Sequence, residues 1–262
     1  TIQRDGRTFS IEKGILRPYF KPVKKSEKKQ NTYSYLTTNK HIIFPYDATG
    51  KVIPLDELQT NYPGTYEYLV ANYDILAPKG IVSGGKRDVN YATAETWYRY
   101  GRHQALTAFN NRKKLIVGIL SKDPMYALDT NDYLIASGDT AGYCAVCKQE
   151  DSPYALEYIQ AWLTNAYTEK ILQIIGSDFE NGFYSRGRSV LVTLPFVELN
   201  FDDSKQKAIY DRVVEATRTI YRINEELNGQ PAKRIASTLQ RQKESLISEI
   251  QELIARVYRL EF

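Results

Sequence analysis

The chain is poor in the residues that most often carry chemistry. It has two histidines, two cysteines and one methionine in 262 residues. With imidazole confined to His41 and His103, acid–base catalysis by histidine is poorly served. The cysteines form Cys144-Ala-Val-Cys147. A zinc site needs four ligands and a redox pair needs a thioredoxin-like βαβ setting, and neither surrounds this pair. The two thiols read as small buried strand residues, without a disulfide, in a reducing cytoplasm. No apolar run approaches the roughly 18 residues that a membrane span needs. No signal-peptide pattern opens the chain, and its start at Thr1 rather than Met reads as that of a fragment.

Catalytic constellations are also missing. No nuclease-like carboxylate and lysine cluster is legible, nor any Ser/His/Asp set in a supporting context. Gly80-Ile-Val-Ser-Gly-Gly-Lys-Arg87 nearly spells a phosphate-binding P-loop. Arg87 stands where Ser or Thr would hold Mg²⁺, and no apolar strand leads into the loop. Asp123-Pro-Met-Tyr126 nearly spells the Asp/Asn-Pro-Pro-Tyr/Phe motif of amino-methyltransferases, but Met125 replaces the second proline. No glycine-rich cofactor loop precedes it. The expectation is a chain with no catalytic residue, metal ligand or cofactor of its own.

What is abundant is tyrosine, 21 residues, together with unevenly spread positive charge. Net charge is +4, yet Lys79–Lys114 holds eight Lys/Arg against two acids and Glu12–Lys29 seven against two. Leu115–Phe183 reverses the balance, three against ten. A chain so polarised presents a basic face. The segment Glu95–Val117 interleaves four aromatics with five cations. That pattern suits a polyanion whose bases can be stacked on or read at their edges. Trp97 and Tyr98 read as core anchors and the cations as the part offered to DNA. Arg99, Arg102 and Gln104 are the expected base readers, since Arg suits guanine and Gln suits adenine as bidentate partners. Arg186 and Arg188, beside Gly187, are further candidates. Phosphate contacts are expected from Lys24, Lys25, Lys86, Arg87, Arg112, Lys113 and Lys114.

Element signals give an α+β fold. Lys40–Asp47 reads as a strand closed by the turn Asp47-Ala-Thr-Gly50, and Tyr62–Asn72 as a short helix with Pro63 near its start. Strands follow at Lys114–Leu120, Met125–Leu128, Asp132–Ala136 and Gly142–Cys147, the makings of a twisted mixed or antiparallel sheet. One helix is expected from Pro153 to about Gln173, then a loop from Gly176 to Arg188 and a last apolar segment, Val190–Pro195. After Asp203, apolar residues at Ile209, Val213, Ala216, Ile220, Ile223 and Leu227 form one helical stripe. Leu239, Leu246, Ile250, Leu253, Val257 and Leu260 form a second, beyond Asn228-Gly-Gln-Pro231. These predict an antiparallel, coiled-coil-like two-helix hairpin, its second helix about 28 residues and about 42 Å long at 1.5 Å per residue. The expected division is therefore a recognition domain over 1–201 and a helical spacer over 202–262.

Taken in order, the motifs resemble the TaqI-like C-terminal specificity domain, the target recognition domain that follows adenine-specific DNA methyltransferase domains. They run Ile15-Leu-Arg-Pro-Tyr-Phe-Lys21, Ile42-Ile-Phe-Pro-Tyr-Asp47, Tyr62-Pro-Gly-Thr-Tyr-Glu-Tyr-Leu69 and Trp97-Tyr-Arg-Tyr-Gly-Arg-His-Gln104. Asp123-Pro-Met-Tyr-Ala-Leu-Asp129, Ala161-Trp-Leu-Thr-Asn165, Gly176–Tyr184 and Leu194-Pro-Phe196 continue the series. Leu163-Thr-Asn165 departs from the family's Leu-Asn-Ser. The resemblance covers about residues 12–200. The ending Ile254-Ala-Arg-Val-Tyr-Arg-Leu260 is similar to the helical spacer of type I restriction specificity subunits. The resemblance implies double-stranded DNA and a methyltransferase domain or subunit as partners. S-adenosylmethionine, and Mg²⁺ where a nuclease is present, would belong to catalytic domains outside this chain. Two alternatives remain: a half specificity subunit pairing as a homodimer through 203–262, and a scaffold whose helices bind proteins.

Overall fold

A computed structural model describes residues 1–20, 33–35, 40–81, 85–101, 106–135, 142–179 and 182–258. In chain order these carry β1 (Ile2–Arg4), β2 (Arg7–Phe9), β3 (Leu16–Phe20), β4 (Ser34–Tyr35) and β5 (His41–Ile43). Next come α1 (Leu55–Asn61), α2 (Pro63–Ala71), α3 (Tyr73–Leu76), β6 (Lys114–Gly118), β7 (Leu120–Ser121), β8 (Tyr126–Asp129) and β9 (Leu134–Ile135). Then follow β10 (Tyr143–Cys147), α4 (Leu156–Thr164), α5 (Ala166–Ile175), β11 (Asp178–Phe179), β12 (Phe183–Ser185), α6 (Arg188–Leu191), α7 (Ser204–Asn228) and α8 (Lys233–Val257). The fold is α+β, with small antiparallel and mixed sheets and a C-terminal helical hairpin. Among the described residues no helix is long and apolar enough to cross a membrane.

The chain forms two compact units, Thr1–Tyr19 with Asn39–Asn111, and Phe20–Thr38 with Arg112–Phe262. In the first, β1 and β2 form a hairpin, and β3 pairs antiparallel with β5, Leu16 opposite Ile43. Its core gathers Ile15, Ile53, Leu58, Leu69, Trp97 and Tyr98. The turn at Asp47 is built by its carboxylate, which accepts from the Thr49 and Lys51 amides at 2.8 and 2.9 Å. Gly50 closes the turn in the left-handed region, φ +84°.

The Tyr62-Pro-Gly-Thr motif has a packing reason. Pro63 occupies the first turn of α2, where no amide hydrogen is needed. A Cβ on Gly64 would sit 1.8 Å from the Ser10 carbonyl oxygen, so only glycine lets the two backbones meet. Glu12, from the same crossing segment, then caps the helix. Its carboxylate accepts from the Gly64 amide at 2.7 Å and from the Thr65 amide and hydroxyl at 3.0 and 2.7 Å. Burial works to raise the Glu12 pKa, but these hydrogen bonds outweigh it and leave the group below its ordinary 4.5. A depressed carboxylate stabilises the fold fully above its unfolded value, and that contribution is lost as pH falls through the folded one. Thermal melts of the wild type and Glu12→Gln are therefore expected to differ at neutral pH and to converge as pH falls below 4.5 and through the depressed folded value.

In the second unit the main sheet has the order β10-β6-β8-β4. β6 is buried throughout between two antiparallel neighbours, with Lys114 opposite both Cys147 of β10 and Asp129 of β8. β4 joins the far edge in parallel, Tyr35 opposite Leu128. One face of the sheet takes α4 and α7, so Leu115, Val117, Tyr126, Tyr158, Trp162, Val213 and Ile220 share one core. The helix expected over 153–173 is interrupted. Asn165 takes an extended conformation, ψ 141°, and its side chain caps α5 by accepting from the Tyr167 amide at 2.9 Å. The expected loop from Gly176 to Arg188 contains β11 and β12, which pair with each other, with β12 also pairing β7, and the apolar segment after it begins as α6.

α7 and α8 run antiparallel, held by a two-pronged Arg212–Glu249 pair at 2.6 Å and by Lys243 donating to Asn224 at 2.8 Å. α8 spans 25 residues rather than about 28. The hairpin is tied to the sheet by buried polar bonds. Tyr221 donates to Gln160, which donates to the Tyr126 carbonyl, and Asn224 donates to the Tyr33 carbonyl. The boundary expected at 201/202 falls inside this unit, whose core both sides share.

Candidate nucleic-acid interface

The basic and aromatic stretch around Trp97 is not one surface element. Asn111 closes the first unit and Arg112 opens the second. Within the first unit the aromatics face inward. Trp97 and Tyr98 are buried, and Trp97 stands edge-on to Tyr73 with ring centroids 4.8 Å apart. The Tyr98 hydroxyl donates to the Ile53 carbonyl, and burial pushes its pKa up to about 12. Tyr100 donates its hydroxyl to the Ile43 carbonyl at 2.6 Å and its amide to the Tyr46 hydroxyl at 2.6 Å. The core role expected for Trp97 and Tyr98 holds, and Tyr100 joins them.

Three of the expected contacts are spoken for inside the fold. Arg87 is half-buried and donates to the carbonyls of Leu76 and Arg99 at 2.5 and 2.6 Å. It fastens the loop before the aromatic stretch instead of reaching for a phosphate. Lys114 is 1% exposed, between Asp129 at 3.0 Å and Asp132 at 3.3 Å. Strand register puts it opposite Asp129, so its charge neutralises a carboxylate that also accepts from the Asn131 and Tyr133 amides. Arg186 is fully buried. It pairs with Glu169 of α5 and donates to the Ser121 carbonyl, locking β7 and β12 to the helix. Lys114, Arg87 and Arg186 are accordingly withdrawn from the contact set, because each is consumed by a counter-charge or a carbonyl that the sequence separates from it.

Other cations stay accessible. Lys86, Arg112, Lys113 and Arg188 are exposed, and Arg99 is half-buried, donating to the Tyr91 carbonyl at 2.6 Å. Arg102, Gln104, Lys24 and Lys25 lie outside the described residues. The near P-loop falls partly outside them too, with Lys86 exposed and Arg87 engaged as above. The near methyltransferase motif leads into β8, where Tyr126 is fully buried and has no face to offer a base. Cys144 and Cys147 lie on β10 as expected, half-buried, and burial pushes the Cys144 thiol up to about 11. A thiol held so high has no thiolate to use at neutral pH.

Three open cations of the second unit lie at one end of the main sheet. β6 begins there, and β4, β8 and β10 end there, as the register Lys114 to Asp129 and to Cys147 requires. Arg112 and Lys113 therefore lie beside Lys148, and Arg112 donates to the Lys148 carbonyl at 2.7 Å. The start of α4 closes the same end. The result is an open pocket of about 430 Å³. Lys148 was not anticipated from the sequence. Its partner Arg112 lies 36 positions away and is brought beside it by the pairing of β6 with β10.

No family model matches the chain. It is 35% identical over 216 residues to the type II restriction enzyme and methyltransferase RM.Eco57I of Escherichia coli. The match covers 81% of this chain and 21% of that enzyme, so the chain spans about a fifth of its relative's length.

Proposed function

We propose that this chain is the DNA target recognition portion of a restriction–modification enzyme. It places an adenine-specific methyltransferase, with or without an endonuclease, on its site in double-stranded DNA. The observation that carries the reading is the similarity over 81% of the chain to an enzyme of that kind. The gathering of Arg112, Lys113 and Lys148 at one sheet end supports it, since phosphate contacts of that type orient a protein on a duplex. Lys86, Arg112 and Lys113, with Lys24 and Lys25, make phosphate contacts in this reading, and Arg99, Arg102, Gln104 and Arg188 are the base-reading set. S-adenosylmethionine serves the methyltransferase rather than this recognition portion, and the cytoplasm is the setting.

A gel shift with random and genomic duplexes over a range of salt tests this. Arg112→Ala with Lys113→Ala is expected to weaken binding to all sequences and to flatten the salt dependence by about 2 in log–log slope. Arg102→Ala is expected to cost roughly 1–3 kcal/mol on the cognate site only. Unchanged affinity in both variants would return the chain to a protein scaffold.

The reading adopted for the hairpin is one copy. Val213, Ala216 and Ile220 of α7 and Ile250 and Ile254 of α8 are already buried within a single chain, which leaves little apolar stripe for pairing. Light scattering of the isolated chain should give a monomer, and a stable dimer would favour the half-subunit alternative.

A further inference from the structure

The pocket at the sheet end has more in it than phosphate contacts require. Its volume, about 430 Å³, lies in the range of small-molecule sites, roughly 300–1,000 Å³. Cations and apolar groups both line it. Arg112, Lys113 and Lys148 bring positive charge to the lining; Tyr35, Leu128 and Leu156 bring apolar surface, and Gln149 adds an amide able both to donate and to accept. Tyr35 is set by its neighbour Tyr221, ring centroids 4.7 Å apart. Two acids also line the pocket, but Glu157 is held by Arg218 at 3.1 Å, which leaves three cations against Glu150. An apolar lining with an amide, together with an excess of positive charge, matches an object that is planar and hydrogen-bonding at one end and dianionic at the other.

We infer that this pocket takes a single nucleotide, with its phosphate on Arg112, Lys113 and Lys148 and its base against Tyr35 and Leu156. The shared chemistry is that of a nucleoside 5′-monophosphate, supplied either free or as a nucleotide turned out of a duplex. Only the second source rests on the DNA-recognition reading above.

The test uses the full chain in two arms. In the first, adenosine 5′-monophosphate, inorganic phosphate and adenosine are titrated separately by calorimetry against wild type and Lys148→Ala. This substitution removes the ammonium and keeps the backbone carbonyl that binds Arg112, and Lys148 is exposed, so folding is not at issue. The expected result is monophosphate binding at least tenfold tighter than either fragment, weakened at least fivefold in the variant. Equal binding of phosphate and monophosphate would overturn the proposal in favour of a simple anion site. In the second arm, 2-aminopurine is placed position by position in a bound duplex. A rise in its emission at one position, lost in Lys148→Ala, assigns the source to DNA; flat emission with monophosphate binding retained assigns it to the free nucleotide. If neither arm responds while the gel shift persists, the pocket proposal falls and DNA recognition stands. If the monophosphate binds while the gel shift fails, the reverse holds.

Discussion

Replacing Arg186 by alanine is expected to destabilise the second unit by about 3–5 kcal/mol, because Glu169 would be left buried without its partner. For a unit of this size that corresponds to a fall in melting temperature on the order of 10 °C. Glu169 is 13% exposed, and its oxygen on Arg186 also accepts from Gln173 at 3.0 Å, so it cannot turn out to water without breaking α5's contacts. Removing the guanidinium also frees the Ser121 and Tyr184 carbonyls that fix β7 and β12. The double replacement Arg186→Met with Glu169→Gln removes both charges and nearly conserves volume, and should recover most of the loss. Circular dichroism melts of the three variants measure this. A base-reading arginine would behave otherwise: the alanine variant would melt like wild type and lose discrimination only. Such a result would put Arg186 back on the surface.

Gly64→Ala is expected to be the most damaging methyl group that can be added to the first unit. The new carbon would lie 1.8 Å from the Ser10 carbonyl, a separation no rotamer can relieve because both atoms are fixed to backbone. The crossing must open, and with it go the three hydrogen bonds from the start of α2 to Glu12. Overpacking and a lost cap together give about 3 kcal/mol or more. Urea titration followed by tryptophan emission reads this directly, since Trp97 reports on the same core. A midpoint unchanged from wild type would mean that the crossing is looser than described. Adding Glu12→Gln to Gly64→Ala should cost little more, because the cap is already broken.

How much of this was legible in the chain depends on how far the deciding partner lies. Hydrophobic period fixed the terminal hairpin well, and β-rich runs fixed β6, β8 and β10, since those signals are local. The aromatic anchors Trp97 and Tyr98 were legible because large rings are costly to leave in water. The role of cations was not. Lys113 and Lys114 are adjacent and chemically identical, yet one is exposed and the other is sealed between Asp129 and Asp132. What separates them is a cross-strand register that composition does not encode. Arg186 and Arg188 differ in the same way through Glu169. The break at Asn165 carried a weak local signal, since asparagine favours an N-cap, but a continuous apolar stripe on both sides masked it.

The interleaving of the two units has a consequence for how such a protein could change its specificity. The chain enters one unit, leaves for the other near residue 20, returns near residue 39 and leaves again after Asn111. A single crossover between two related genes therefore never exchanges a whole unit. Two crossovers bracketing residues 39–111 would transfer most of the first unit but would leave behind Thr1–Tyr19, including the Ser10 and Glu12 positions that Gly64 and Thr65 require. Grafting between relatives should succeed only when both segments travel together, or when the recipient already carries a glycine and an acid that match across that crossing.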